Sequence, residues 1–187
     1  MKVPGLSYVS EWLTAEECDA LVAHADAAEW ERTLRRRVQH YGHRYDYVRR
    51  TVSPVPAPPI PDWIAPLVRR LADESRMAEP NQVIVNEYQP GQGISAHVDC
   101  VPCFGPVVAT VSLGSACEMD FTHAEDGRRA AVPLAVGSLC LLAGDARHLW
   151  EHGIAPRRSD PGPAGRVPRS RRVSLTFRTI PPARDGR

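Results

Sequence analysis

Two helices are predicted in the first 80 residues, from hydrophobic positions that recur every three or four residues. The first helix begins after Thr14, which forms a capping box with Glu17, and runs to about Trp30. The second follows Asp62 and accommodates Pro66 in its first turn. The hydrophobic positions with helical spacing are Cys18, Leu21, Val22, Ala25, Ile64, Leu67, Val68 and Leu71.

The segment between these helices has two parts. Residues 35–50 are rich in arginine and tyrosine and alternate in places, which indicates a strand or a hairpin. The next stretch has five prolines between Pro54 and Pro61, and these predict an extended, stiff backbone.

From residue 81 onward the hydrophobic runs become short and are separated by Gly, Pro, Asp or Asn. Eight short strands at this spacing are typical of a β-sandwich, a jelly roll or a barrel. Residues 155–171, rich in Pro, Gly and Arg, are expected to form a mobile loop. The predicted strands are 82–88, 94–98, 107–113, 117–122, 131–134, 138–142, 149–154 and 172–180.

Length and composition narrow the class of protein. The chain has 187 residues, 43% of them hydrophobic and 24% charged, which suits one domain with a substantial core. Its apolar stretches are too short to span a bilayer, and the N-terminus lacks the apolar core of a signal peptide. We therefore expect a monomer in the cytoplasm with no membrane association.

The five cysteines are an odd number in a chain without an export signal, which predicts reduced thiols and no disulfide framework. Cys100 and Cys103 have the Cys-x-x-Cys spacing, but the chain has no second such pair. A zinc site is therefore not expected.

Positive charge is concentrated in two blocks, although the net charge of the chain is +1. Residues 31–50 carry seven arginines against two acidic residues, and residues 147–187 carry ten against three. Such blocks indicate either an anionic partner or an ordinary solvated surface.

Three side chains that bind metals lie on or beside two predicted strands. His97 and Asp99 are two residues apart and face the same way on a strand, and His152 lies on a later strand. Two histidines and one carboxylate form the facial triad of non-heme Fe(II) oxygenases, which leaves positions open for a co-substrate and O₂. The alternative is that His97 and Asp99 are surface polar residues.

The last strand has a polar face and a hydrophobic face. Two arginines that flank two hydroxyl groups suit the binding of a small dicarboxylate, although a solvated strand also alternates. Asn86 and Tyr88 share a face just before the His-x-Asp strand. The polar face of the last strand carries Arg172, Ser174, Thr176 and Arg178.

In order and spacing, these motifs resemble the AlkB-like Fe(II)/2-oxoglutarate-dependent dioxygenases over about residues 80–180. The resemblance implies that iron is bound by His97, Asp99 and His152, and that His152 is preferred to His148 because Gly153-Ile154 follows it. It also implies that 2-oxoglutarate is bound by Asn86, Tyr88, Arg172, Ser174 and Arg178. The matching segments are Asn86–Gly91, Gly93-Ile94, His97–Asp99, Val111–Ser115, His152–Ile154 and Arg172–Arg178.

The resemblance further implies a fold and a reaction. The expected fold is α+β and mainly β, a double-stranded β-helix (jelly roll) with N-terminal helices packed outside. We expect one domain over 1–187, with a helical extension at 1–79 and a dioxygenase core at 80–181.

The implied reaction uses Fe(II), 2-oxoglutarate and O₂ to dealkylate DNA or RNA bases, as in repair. The alternatives are a hydroxylase of tRNA, of a protein side chain or of a small metabolite, and a binder without catalysis.

In AlkB-like proteins the segment before the core covers the target base, and here that lid comprises about residues 31–50. The expected partner is a single-stranded or flipped-out base, since arginine binds phosphate and aromatic side chains stack on bases. The alternative is a basic edge strand with structural tyrosines. The expected substrate contacts are Arg35, Arg37, His40 and Tyr41.

Two details of sequence bear on the substrate. The stretch from Arg35 to Gly42 also resembles that of a eukaryotic member that hydroxylates wobble uridine in tRNA. Val101 stands where the bacterial DNA-repair member has an Asp that contacts the methylated base. This difference argues against the adenine and cytosine specificity of that member.

Overall fold

The computed structural model describes residues 2–32 and 34–182, which form fourteen strands and three helices. The helices are α1 (Ala15–Ala27), α2 (Ala65–Glu74) and α3 (Gly144–His148). The strands before the predicted core are β1 (Leu6–Val9), β2 (Arg37–Tyr41), β3 (His43–Asp46) and β4 (Thr51–Pro56). The later strands are β5 (Gln82–Tyr88), β6 (Ile94–His97), β7 (Val107–Leu113), β8 (Cys117–His123), β9 (Arg129–Leu134), β10 (Leu139–Ala143), β11 (Trp150–Ile154), β12 (Ser159–Gly162), β13 (Gly165–Pro168) and β14 (Arg172–Arg178).

The main sheet has six antiparallel strands in the order β1-β10-β7-β14-β5-β2. One of its faces packs against α1 and α2. Successive side chains of each strand point to opposite faces of the sheet. On β14 the hydrophobic side chains enter the core shared with the helices. This core includes Leu21, Leu71, Val83, Val85, Val173, Leu175 and Phe177.

A second antiparallel sheet, in the order β6-β11-β8-β9, packs on the other face of the main sheet. Phe121 and Trp150 from this sheet form a core with Cys140 and Leu142 of β10. The positions of β14 that face this sheet are polar, so they border a cavity instead of extending the core. The mainly β jelly roll predicted from the sequence is confirmed.

Both predicted helices are present. The capping box is formed, because Thr14 Oγ1 accepts from the Glu17 amide and Glu17 accepts from the Thr14 amide. Helix α1 ends at Ala27 and not at about Trp30, and Pro66 lies in the first turn of α2. Among the described residues, no helix is long and apolar enough to cross a membrane.

Several elements differ from the prediction. The segment 1–79 is not only helical, because β1 and β2 add strands to both edges of the main sheet. His148, just before the predicted strand 149–154, ends the short helix α3. Residues 155–171 hold the hairpin β12–β13 in place of a mobile loop, since the Asp160 carboxylate binds Arg157 and Arg169 on both sides of it.

The expectation that all cysteines are reduced is wrong for one pair. Cys100 and Cys103 form a disulfide, with their Cα atoms 5.3 Å apart. The amides of Cys103 and Phe104 both donate to the Cys100 oxygen, and this tight turn brings the two cysteines within bonding distance. Cys18, Cys117 and Cys140 are free and buried.

Candidate active site

His97 and His152 lie directly opposite each other on the neighbouring strands β6 and β11. Their ring centroids are 4.6 Å apart. Asp99 follows β6, and its Oδ1 lies 4.0 Å from His97 Nε2. The structure therefore brings together the three side chains that the sequence predicts as metal ligands.

Gly153 accounts for the close approach of these two strands. A Cβ atom at this position would lie 2.9 Å from the Ala96 amide nitrogen and 3.0 Å from Ala96 Cα. These are backbone atoms that cannot rotate away, so only glycine leaves room for β6 at this point. This requirement explains why glycine follows His152 in the motif.

The buried carboxylate of Asp99 is held in its charged form. Burial acts to raise the pKa of Asp99, but the positive charge of Arg178 and its hydrogen bond outweigh burial, and the pKa falls to about 2. Arg178 Nη2 donates to Asp99 Oδ1 at 2.8 Å. In the described part of the chain, no three His, Cys, Asp or Glu side chains already have the spacing of a complete metal site.

The two histidines have nitrogen lone pairs available. Burial lowers the pKa of His152 to about 4, although the Asp99 charge opposes the shift, so the ring is neutral near pH 7. Its Nδ1 atom is buried without a hydrogen-bond partner among the described residues. His97 Nδ1 must donate to the Ser95 carbonyl oxygen at 2.8 Å, which leaves Nε2 free in the neutral ring. Two imidazole rings beside a carboxylate fit a divalent transition metal.

Arg147 supports the turn that carries Asp99. Its guanidinium is 2% exposed and donates to the main-chain oxygens of Asp99 at 2.8 Å and Cys100 at 3.2 Å. Its Nε atom also donates to the Gly105 oxygen at 3.4 Å. The sequence gave no signal of this contact, which joins two residues 48 positions apart in the chain.

The polar face of β14 carries the buried Arg172 and the partly buried Arg178, both with unused donors. Arg172 is 4% exposed, donates to Ser112 Oγ at 2.9 Å and lies over the Tyr88 ring. It has no ion pair with a described carboxylate, and the Nε atoms of Arg172 and Arg178 are buried without partners. Buried guanidinium groups require an anion or further acceptors, so this face fits a small dicarboxylate.

The remaining predicted co-substrate residues face the same space. Ser174 is the register partner of Asn86 on β5, and Arg172 is the partner of Tyr88. Asn86 Oδ1 accepts a hydrogen bond from Arg36 at 3.0 Å. All five residues line one cavity of about 550 Å³ that also contains His97, Asp99 and His152.

Of the four expected substrate contacts, only Arg35 lines this cavity. Arg37 binds Glu87 at 2.5 Å and stacks over Trp30. Tyr41 packs edge-on against Trp63 in the core shared with the helices. His40 is 3% exposed, with its two ring nitrogens 3.3 Å from Glu31 Oε1 and from the Tyr47 hydroxyl.

Alternation along β2 accounts for Arg37 and Tyr41, whereas Arg35 precedes the strand and His40 is enclosed by Glu31 and Tyr47. Arg36 faces the cavity, whereas Arg37 and Tyr41 point to the helical side of the main sheet. The cavity residues not named among the expected contacts include Phe104, Thr110 and Met119, together with Arg36, Tyr45, Tyr47 and Arg50 of the predicted lid. Tyr45 and Tyr47 are two residues apart, so they share a face of an extended strand. This spacing is a signal that could have identified both tyrosines as cavity residues.

The sequence matches the family model of the 2OG-Fe(II) oxygenase superfamily over residues 23–178. The chain belongs to this superfamily. It is therefore an Fe(II)- and 2-oxoglutarate-dependent dioxygenase, an oxidoreductase that also uses O₂.

AlkB homologues are among the relatives of this superfamily member. The mouse tRNA (carboxymethyluridine(34)-5-O)-methyltransferase ALKBH8 is 34% identical over 95% of this chain, which spans 30% of that protein. The probable RNA/DNA demethylase ALKBH6 of Danio rerio is 29% identical over 95% of the chain and 86% of that protein. The solved structure of OsALKBH1 has a TM-score of 0.68 at 20% identity and covers 94% of this chain and 97% of its own. These findings confirm the resemblance to AlkB-like oxygenases.

Proposed function

We propose that this dioxygenase oxidises alkyl groups on nucleic-acid bases. The observation that carries the proposal is the cavity of about 550 Å³, in which a two-histidine, one-carboxylate set adjoins two arginines with unused donors. The lining also contains further arginines and tyrosines, the side chains that bind phosphate and stack on bases. These lining residues are Arg35, Arg36, Tyr45, Tyr47 and Arg50.

In this proposal His97, Asp99 and His152 hold the metal. Two imidazoles and one carboxylate supply the donors, and the low pKa values of Asp99 and His152 keep the carboxylate charged and the His152 ring neutral at neutral pH. When bound, Fe(II) supplies the reaction of O₂ with 2-oxoglutarate that gives succinate, CO₂ and an oxidised substrate carbon. The protein itself orients that carbon and limits side reactions.

The co-substrate is proposed to lie along the polar face of β14. Arg172 and Ser174 suit the carboxylate farther from the metal, because Arg172 donates to Ser112 and not to the triad. Arg178 suits the carboxylate nearer the metal, since it already contacts Asp99. Asn86 and Tyr88 bind the ligand from the neighbouring strand.

The position of the oxidised carbon decides the product. If the carbon is attached to nitrogen, the hydroxylated group leaves as an aldehyde, and the base is dealkylated. If it is attached to carbon, a stable alcohol remains. The name of the mouse relative, 34% identical to this chain, favours tRNA as a second candidate substrate, with hydroxylation as the outcome.

Mass spectrometry of the products tests this proposal. The protein, Fe(II), 2-oxoglutarate and ascorbate are incubated with methylated and etheno-modified DNA and RNA oligonucleotides and with tRNA. Loss of an alkyl mass indicates dealkylation, and gain of one oxygen on tRNA indicates hydroxylation. Succinate without any change in a nucleic acid would overturn the proposal and direct the search to proteins and metabolites.

Two histidine variants complete the experiment. His97→Ala removes a proposed ligand and should abolish product formation. His24→Ala changes an exposed histidine on α1 that stacks on Trp63 outside the cavity, and it should retain activity. A role in DNA repair, a single-stranded partner, a monomeric state and a cytoplasmic location are further parts of the proposal.

A further inference from the structure

A second groove, of about 760 Å³, opens beside the active-site cavity. The two spaces have common walls, formed by Arg35, Arg36, Gly93, Ile94, Ser95 and Ile154. The groove and the active-site cavity therefore adjoin each other along these residues.

Two arginines border this groove. Arg35 lines it and is exposed, and its main-chain oxygen accepts a hydrogen bond from Gln92 Nε2 at 2.8 Å. Arg158 lies beside the lining residue Gly91, since a Cβ atom on Gly91 would be 3.8 Å from Arg158 Cγ and 3.9 Å from its Nε. Both side chains have room to move toward a bound group.

The charges of these two arginines are not neutralised within the described part of the chain. Neither Arg35 nor Arg158 has a described carboxylate within 4.0 Å. Their neighbours differ, because Arg37 and Arg171 bind Glu87, and Arg157 and Arg169 bind Asp160. About half of the described arginines in the two basic blocks have such an ion pair, and Arg35 and Arg158 beside the groove are among those that do not.

We propose that this groove binds the sugar–phosphate backbone next to the target base, with phosphates at Arg35 and Arg158. The proposal rests on the function proposed above and specifies the form of its substrate. The groove also contains the acidic residue Asp120, so the phosphates lie on the side of the two arginines. The substrate is consequently a strand that extends past the target nucleotide, and a free nucleoside is a poor substitute.

The salt dependence of binding tests this assignment. A fluorescein-labelled, single-stranded RNA decamer is the probe, and its dissociation constant is measured by anisotropy at several salt concentrations. Each phosphate contact on a single strand contributes about 0.7 to the slope of log K against log salt. The double variant Arg35→Ala/Arg158→Ala should therefore lower this slope by about 1.4.

A matched control separates local contacts from a general loss of charge. Arg69→Ala/Arg76→Ala also removes two exposed arginines that have no described ion pair, but these lie on or just after α2, on the helical side of the main sheet. This variant should keep the wild-type slope. An equal reduction in both variants, or no reduction in the groove variant, would overturn the assignment.

Turnover distinguishes this inference from the proposed function. In one outcome, the wild type modifies a base in the oligonucleotide while the groove variant has the wild-type salt slope and still prefers the strand to the nucleoside. In that case only the groove assignment fails. If the groove variant loses slope but no base is modified, the groove assignment stands and the proposed reaction fails. Absence of strand binding by the wild type at low salt would overturn the groove assignment.

Discussion

Arg147 donates a hydrogen bond to the main-chain oxygen of Asp99 at 2.8 Å, although 48 residues separate them in the chain. The guanidinium also binds the next carbonyl, so it defines the path of the turn that presents the carboxylate. Arg147 is thus a positioning residue that acts through Asp99. Groups that orient a metal ligand in this way commonly affect metal affinity by 10–100-fold.

We predict that Arg147→Met weakens Ni(II) binding at least about tenfold. Isothermal calorimetry with Ni(II) alone measures this effect without turnover. Arg169→Met is the control, because Arg169 is also a buried arginine but binds Asp160 in the β12–β13 hairpin. Both substitutions should lower the melting temperature. If the Ni(II) affinity of Arg147→Met is unchanged, Arg147 contributes to the stability of the fold and does not position Asp99.

The metal-free protein should lose stability as the pH falls from about 6.5 to about 4. The pKa of His152 is about 4 in the folded protein against 6.5 in the unfolded chain, so the unfolded state binds a proton first and is favoured in this range. The shift corresponds to about 3 kcal/mol of unfolding free energy. Asp99 adds stability above pH 3.8 that is lost as the pH falls toward 2.

Urea unfolding in the presence of a chelator, at several pH values, measures this dependence. His152→Gln cannot take up a proton, so its unfolding free energy should fall less steeply between pH 6.5 and 4. His24→Gln, at an exposed position on α1, should follow the wild type. Parallel pH profiles for the wild type and His152→Gln would contradict the assignment of a buried, neutral His152.

Arg172→Met should weaken 2-oxoglutarate binding by one to two orders of magnitude, about the loss of a charged hydrogen bond. Ni(II) affinity should be retained, because Arg172 makes no contact with the triad among the described hydrogen bonds. Arg171→Met is the matched control, since this adjacent arginine binds Asp26 and Glu87. Calorimetric titration of the metal-free protein with Ni(II), and then of the Ni(II)-loaded protein with 2-oxoglutarate, gives the two affinities. Equal 2-oxoglutarate affinities for the two variants would refute the role of Arg172 in binding this co-substrate.

Gly153→Ala should weaken metal binding because the new methyl group meets the Ala96 backbone of β6. Strand β6 must then move, and His97 moves with it away from His152. Gly105→Ala is a suitable control, since its Cβ atom would be in ordinary contact at 3.4 Å. The variants are compared by melting temperature and Ni(II) affinity, and a Gly153→Ala protein equal to the control in both would show that β6 tolerates the displacement.

Local patterns in the sequence were sufficient for most of the fold. Strands β5 and β7 have the predicted bounds, because short alternating runs between turn residues are a local property. The capping box of α1 and the two faces of β14 are likewise set by neighbouring residues. The triad residues could be proposed from their chemistry and spacing, and the resemblance to the AlkB-like family selected His152 over His148.

The elements that the sequence did not predict depend on contacts between segments far apart in the chain. Strand β1 has only four residues and exists through its pairing with β10, and the β12–β13 hairpin is held by ion pairs to Asp160. Composition alone gave no indication of either, because β structure depends on the partner strand.

The sequence by itself determined which residue types are available for metal, dicarboxylate and phosphate. Only the tertiary structure decided that His97 faces His152, that Arg147 supports Asp99, and that Arg36 faces the cavity while Arg37 faces the helices. It also decided which arginines are paired and which remain free at the groove. The physical reason is that side-chain neighbours depend on strand register and sheet packing, which join segments far apart in the chain.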